Sequence, residues 1–249
     1  MLPCHAFHFH YAPATFIKIF PLLLGLLATL AAHAQQGVFR YGVKGGFSLS
    51  TYEGQLDGPY PVGHKPGFAA GALATYGLSD HAAVQLEVLY SQKGVFVDNY
   101  TYSIRTAQAN FNYRRYRATL SYLDVPVLLK LNSGEANRGF YLEAGPQVSF
   151  ALGQREYLSP FGKSSNAPNP EDITISTDRG ALVPVVLGYV GGVGYQFGGG
   201  LGLGLRYTGD ISHVYRDEAG PGSSGATLND NAHNSTFQLQ ARYLFSQKN

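Results

Sequence analysis

The chain has 249 residues, which suits a single all-β domain. It is rich in Gly (31), Tyr (18) and Phe (15), has no Trp and is only 14% charged, a balance that excludes an ordinary helical protein, which draws on Ala, Leu, Glu and Lys at helical spacing. The formal net charge of +2, with no Lys/Arg cluster able to neutralise a phosphate backbone, excludes a nucleic-acid partner.

Residues 1–34 read as a cleaved signal peptide. Lys18 precedes the apolar run Ile19–Ala32, and Ala32-His33-Ala34 supplies an A-x-A cleavage site. The run is too short for a spanning helix, which needs about 20 residues. Cys4, the single cysteine, lies ahead of the run, so the mature chain, residues 35–249, has no thiol for a disulfide, a nucleophile or a metal. That mature part carries 17 basic residues (18 less Lys18) against 16 acidic ones.

The mature sequence alternates with a period of two, the signature of strands with one apolar face. Phe39–Thr51 sets Phe39, Tyr41, Val43, Phe47 and Leu49 against Arg40, Lys44, Ser48 and Ser50. The pattern recurs in Gly67–Leu78, Ala82–Gly94, Thr119–Asn132, Gly139–Leu152, Val185–Gly198, Leu201–Thr208 and Ser235–Phe245. Most of these have the roughly 9–11 residues that a tilted membrane strand requires. A membrane helix over 181–197 is the rival reading of one segment; Pro184 and the glycines at 188, 191, 192 and 194 oppose it.

The links alternate in length. Short turns fall at Ser79–His81, Ser133–Arg138 and Gly198–Gly200, and long polar loops at Tyr52–Pro66, Val95–Ala118, Gly153–Pro184 and Gly209–Asn234. An up-and-down antiparallel barrel of about eight strands crossing a membrane has this form, with short turns facing the periplasm and long loops outside. Charges lie on one face only, as Lys44, Glu87, Lys130, Glu143, Arg206 and Arg242. The opposite face would be a continuous apolar belt that water penalises and lipid accepts, while the closed barrel satisfies every backbone polar group. Phe39, Tyr76, Tyr90, Phe140, Phe150, Phe197, Tyr207 and Phe245 are placed to form interfacial girdles.

The six charged residues read as a lumen network. Since about eight strands leave room only for side chains, the preferred reading is a plugged interior of structural ion pairs, with a polar conduit as the alternative. Glycines on the same face make space for the long charged chains. A catalytic site is not expected: Asp210, Ser212 and His213 are near in sequence, but His213 shares a face with Ile211 while Asp210 and Ser212 point the other way. Asp210, His213, Asp217 and Glu218 lack the spacing of a calcium loop, so neither metal nor cofactor is expected. Loop aromatics, Tyr100, Tyr102, Phe111, Tyr113 and Tyr116, either present a binding surface or extend the barrel wall above the bilayer.

Five stretches resemble the PorT-like outer-membrane barrel family, kin to the small opacity and OmpA-type barrels: Val43–Phe47 (VKGGF), Leu86–Gly94 (LEVLYSQKG), Tyr122–Lys130 (YLDVPVLLK), Tyr141–Gly145 (YLEAG) and Leu205-Arg206-Tyr207. The resemblance covers nearly all of the mature chain. It implies an outer-membrane location and insertion by the barrel-assembly machinery, which reads an aromatic residue at the end of the last strand. Phe245 matches, although Ser246–Asn249 follow it. One branch of the family is linked to protein secretion. The expected partners are therefore outer-membrane lipid, the assembly machinery and a surface ligand or secretion-system protein, and the expected role is non-enzymatic: structural or surface-recognition, alternatively a narrow pore or an accessory to secretion.

Overall fold

A computed structural model describes residues 38–54, 62–104, 109–134, 138–160, 173–177, 182–215 and 232–245. Residues 1–34, read above as a signal peptide, the loop segments at 58–61 and 166–170, and the residues after Phe245 lie outside them. Nine strands follow in chain order: β1 (Phe39–Glu53), β2 (Val62–Gly77), β3 (Ala82–Ile104), β4 (Ala109–Asn132), β5 (Gly139–Pro160), β6 (Ile173–Thr177), β7 (Val185–Gln196), β8 (Leu201–Asp210) and β9 (His233–Leu244). Eight of them close a barrel. Each pairs antiparallel with its chain neighbours, β5 passes directly to β7, and β9 returns to β1, where Lys44 faces Arg242 and Phe47 faces Leu239. The short β6 pairs only with the far end of β5. The segment once readable as a helix is β7.

The turns behave as their residues require. Gly199 and Gly200 take φ of +83° and +95° between β7 and β8, a conformation glycine alone adopts freely. Between β2 and β3, the Ser79 hydroxyl accepts the backbone N–H groups of His81 and Ala82.

Inside the belt the alternation is apolar outward and polar inward. Phe47, Leu49, Leu86, Leu129, Leu142, Val193, Leu205 and Leu239 are exposed on the outer wall, while Lys44, Glu87, Lys130, Glu143, Arg206 and Arg242 are buried within. Two aromatic girdles bound this belt. At the turn end, Tyr41 meets Phe245 (5.4 Å) and Phe140 meets Tyr195 (5.1 Å); at the loop end, Phe68 meets Tyr90 (5.7 Å) and Tyr207 meets Phe237 (5.0 Å). Such rings sit where an apolar body and a wet tip are both wanted.

One expectation needs correcting. Residues 95–104 and 109–118 are not an irregular loop: β3 and β4 run on as paired strands, with Val95 opposite Ala118 and Val97 opposite Tyr116, and β5 likewise continues to Pro160. Beyond the belt the two faces exchange polarity. Val95, Val97, Tyr116, Ala118 and Leu120 point inward and are buried, whereas Arg117 and Arg155 point outward and are exposed. Water now bathes the outside, so apolar side chains gain by turning in. Tyr116 thus belongs to the interior, and the side chains of Tyr100, Tyr102, Phe111 and Tyr113 lie outside the described residues.

Candidate functional site

The lumen is filled in layers. In the first, Glu87 on β3 accepts from Lys44 Nζ on β1 at 2.8 Å and from both terminal nitrogens of Arg206 on β8, at 2.7 and 2.9 Å. Arg206 also donates to Glu143 on β5, through Nε at 2.9 Å and Nη2 at 2.5 Å. Lys44 lies 3.5 Å and Arg242 3.6 Å from the same carboxylate. Five of the six residues singled out by alternation are therefore one ion network. The bidentate fork of Arg206 fixes its geometry, as guanidinium–carboxylate pairs do.

Lys130, the sixth, makes no hydrogen bond among the described residues; its Nζ stands 4.7 Å from the centre of the Tyr141 ring. Arg242 packs over the same ring at 3.8 Å and donates to Gln196 at 2.9 Å. Three network cations face two carboxylates, and the negative face of Tyr141 takes part of the excess. The glycines make this possible. A Cβ on Gly194 or Gly204 would lie 2.3 or 2.2 Å from the Tyr141 hydroxyl, and one on Gly202 2.9 Å from Arg242 Nε. So the glycine floor of β7 and β8 houses an aromatic ring as well as charged chains.

A second layer was not singled out from the sequence. Lys93 on β3 bridges Asp124 on β4 (3.5 Å) and Asp210 on β8 (3.3 Å), over the Tyr122 ring at 5.0 Å. Ser91 donates to Asp124 at 2.7 Å and Asn234 to Asp210 at 2.8 Å. The signal was present: Lys93 shares the inward parity of Glu87. Asp210, at the end of β8, likewise shares the inward parity of Arg206; what parity did not reveal is that Lys93 and Asp210 would meet across the barrel.

Above this layer lies an apolar cap. Val95, Val97, Tyr116 and Leu120 from the β3–β4 hairpin pack with Leu182 and Val214, which arrive on the connections before β7 and after β8. Those connections are stitched across the opening: Leu182 bridges Tyr215, Val183 N–H donates to Val214 C=O at 3.0 Å, and Val214 N–H donates to Ala232 C=O at 2.9 Å. Within the cap, Tyr116 donates to Glu156 at 3.0 Å, Gln154 also donates to Glu156, and the Tyr52 and Tyr215 hydroxyls meet at 3.1 Å. Among the described residues no cation pairs with Glu156. Burial pushes its carboxyl above the ordinary value, against the opposing pull of the donated hydrogen bonds.

Asp210, Ser212 and His213 do not converge. The carboxylate of Asp210 is taken by Lys93 and Asn234, the Ser212 hydroxyl accepts the Leu187 N–H at 3.1 Å, and His213 meets His233 edge to face at 4.9 Å. Among the described residues no group of three His, Cys, Asp or Glu side chains is arranged to hold a metal. Asp217 and Glu218 lie outside them. Among the described residues no helix is long and apolar enough to cross a membrane.

The chain is similar in structure to several solved barrels, each at 14% identity. Ail, the attachment invasion locus protein of Yersinia pestis, aligns over 83% of this chain and 98% of its own with a TM-score of 0.44. Neisserial surface protein A aligns over 82% and 97%, also at 0.44. OprG from Pseudomonas aeruginosa aligns over 85% and 98% at 0.39. No curated protein matches the sequence. The family of the outer membrane protein beta-barrel domain matches residues 33–215. The apolar belt, the closed antiparallel barrel and this match lead to one conclusion: the chain is an outer-membrane protein and belongs to the outer membrane protein beta-barrel domain family.

Proposed function

We propose that this protein is a non-enzymatic, occluded barrel that strengthens the outer membrane and presents its extended loop end for recognition, within the PorT-like branch of the family. The observation carrying this reading is the sealed lumen. The Glu87–Arg206–Glu143 layer, the Lys93 layer and the apolar cap lie in series along the axis, with Lys130, Glu87 and Leu120 wholly buried. A conducting pore needs a continuous polar path, and an apolar cap opposes the passage of ions. The tall wall formed by β3, β4 and β5, of 23, 24 and 22 residues against 10 for β8, supports a display role. It carries the pairing of β3 with β4 beyond the lipid belt.

Planar-bilayer recording tests the reading. The purified barrel is expected to be electrically silent. Discrete single-channel steps in the unmodified protein would overturn the occluded barrel in favour of a narrow pore. An accessory role in secretion is supported by the family resemblance alone, and co-purification with a secretion complex from native membranes would establish it.

A further inference from the structure

The outer wall of the barrel changes abruptly at the loop end of β3, β4 and β5. On β4 the outward residues run Leu131, Leu129, Val127, Val125 and Leu123, then Ser121, Thr119 and Arg117. On β5 the exposed apolar series ends at Leu152, and Arg155 is the next exposed side chain. The boundary is marked by a polar cluster on the outer wall: the Tyr90 and Ser121 hydroxyls meet at 3.1 Å, and Gln92 donates to Tyr90 at 3.3 Å. At about 3.4 Å per residue and a tilt of about 40°, Arg117 stands roughly 10 Å above Ser121, within the headgroup zone of an outer leaflet.

Arg117 and Arg155 are neighbours there. Thr119 pairs with Arg155 and Arg117 with Tyr157, so the two arginines occupy diagonal positions on adjacent strands. Diagonal positions lie about 7–8 Å apart, within reach of one ligand for side chains of this length. Neither arginine pairs with a carboxylate among the described residues. Glu156, between them in register, turns inward to Tyr116, and Asp98, the nearest outward acid on β3, stands opposite Arg115 in register. Phe96 and Tyr157 flank Arg117 on either side in register. Rings at this depth match the chemistry of the interface. The remaining exposed Lys or Arg side chain among the described residues, Arg138, sits in a turn at the opposite end.

We propose that Arg117 and Arg155 form a docking surface for the phosphate of an outer-leaflet lipid headgroup, whose acyl chains lie against the apolar wall of β4 and β5 directly below. Two guanidinium groups with no carboxylate partner among the described residues, just above a lipid-facing wall, match one chemistry: an anionic, fork-accepting oxyanion attached to an apolar tail. Continuity with the lipid belt selects the lipid over a soluble anion.

The test is binding of fluorescent lipid A to the intact barrel in neutral detergent micelles, comparing the bisphosphorylated with the dephosphorylated form. The unmodified barrel is expected to prefer the bisphosphorylated lipid. The double variant Arg117→Gln with Arg155→Gln is expected to bind it roughly 30-fold more weakly, as removal of two interfacial basic residues implies. Binding of the dephosphorylated form should not change, and Arg138→Gln should leave both affinities intact. Retained heat-modifiable migration on gels checks folding of each variant, and a second double variant, Arg117→Lys with Arg155→Lys, should recover most of the loss. Equal affinity of the unmodified barrel for the two lipids, or an undiminished affinity in the glutamine variant, overturns the proposal. So does displacement of the lipid by heparin at equal charge, which would assign the surface to a soluble polyanion instead.

Discussion

The barrel is two structures stacked end to end on the same strands. In the belt, β3 places Leu86 and Val88 outside and Gln85 and Glu87 inside; a few residues later the same strand places Val95 and Val97 inside and Asp98 outside. The parity of the strand is unchanged, and only the chemistry of each face has been exchanged. The difference teaches that a sheet has no intrinsic inside. The solvent on its outer face decides which residues turn inward, and that solvent changes from hydrocarbon to water along one strand. The interiors differ accordingly. The belt is closed by ion pairs and the extension by apolar packing.

The largest expected effect comes from the belt. Glu87→Ala leaves Lys44 and Arg206 with only Glu143 of the two carboxylates they share, and costs on the order of 3–5 kcal/mol. Denaturant unfolding of the barrel in lipid vesicles measures it, and a loss below about 1 kcal/mol would deny the network a structural role. Next is the cap. Leu120→Ala removes a fully buried side chain, and substitutions of this kind cost about 2–5 kcal/mol. Here the loss should appear as faster proteolysis and amide exchange in the β3–β4 hairpin, with the unfolding midpoint of the belt little changed. Equal losses in both regions would show that the two do not act separately.

A smaller effect is expected from the glycine floor. Gly204→Ala drives a methyl group against the Tyr141 hydroxyl, and overpacking of this kind costs about 1–3 kcal/mol. Adding Tyr141→Phe, which removes the obstructing hydroxyl, should restore part of the loss in the same unfolding experiment. Failure of that rescue would mean that the backbone of β7 and β8, rather than the ring, sets the limit.

The smallest effect is the pH response of the cap. Glu156 binds its proton more tightly when folded than when unfolded, so its contribution to stability is complete at low pH. That contribution is lost as the pH rises from the ordinary Glu value, about 4.3, through the raised folded value. Protection of the hairpin against exchange should therefore fall across that window and become flat in Glu156→Gln. The belt should show no matching change, and a response there of equal size would remove the distinction between the two regions.

Much of the belt was legible in the residues. Period-two alternation located the strands of the barrel because hydrocarbon outside and charge inside leave opposite marks on odd and even positions. The same parity singled out Lys44, Glu87, Lys130, Glu143, Arg206 and Arg242. The extension was not legible as strand, because a polar exterior with tyrosines and asparagines between 95 and 118 has the composition of a loop. Nor did parity reveal that Lys130 would face a ring rather than a carboxylate, or that Lys93 and Asp210, 117 residues apart, would meet.

The sequence by itself determined which faces meet lipid, where the chain turns, and which charges are withheld from the membrane. These follow from one strand and its solvent, since transfer of each side chain depends on the side chain alone. Only the tertiary structure decided how the lumen is closed. Partners such as Glu87 and Arg206, 119 residues apart, meet because barrel closure brings β3 and β8 across a common axis. A seal made of contacts between distant strands exists only once the cylinder is complete.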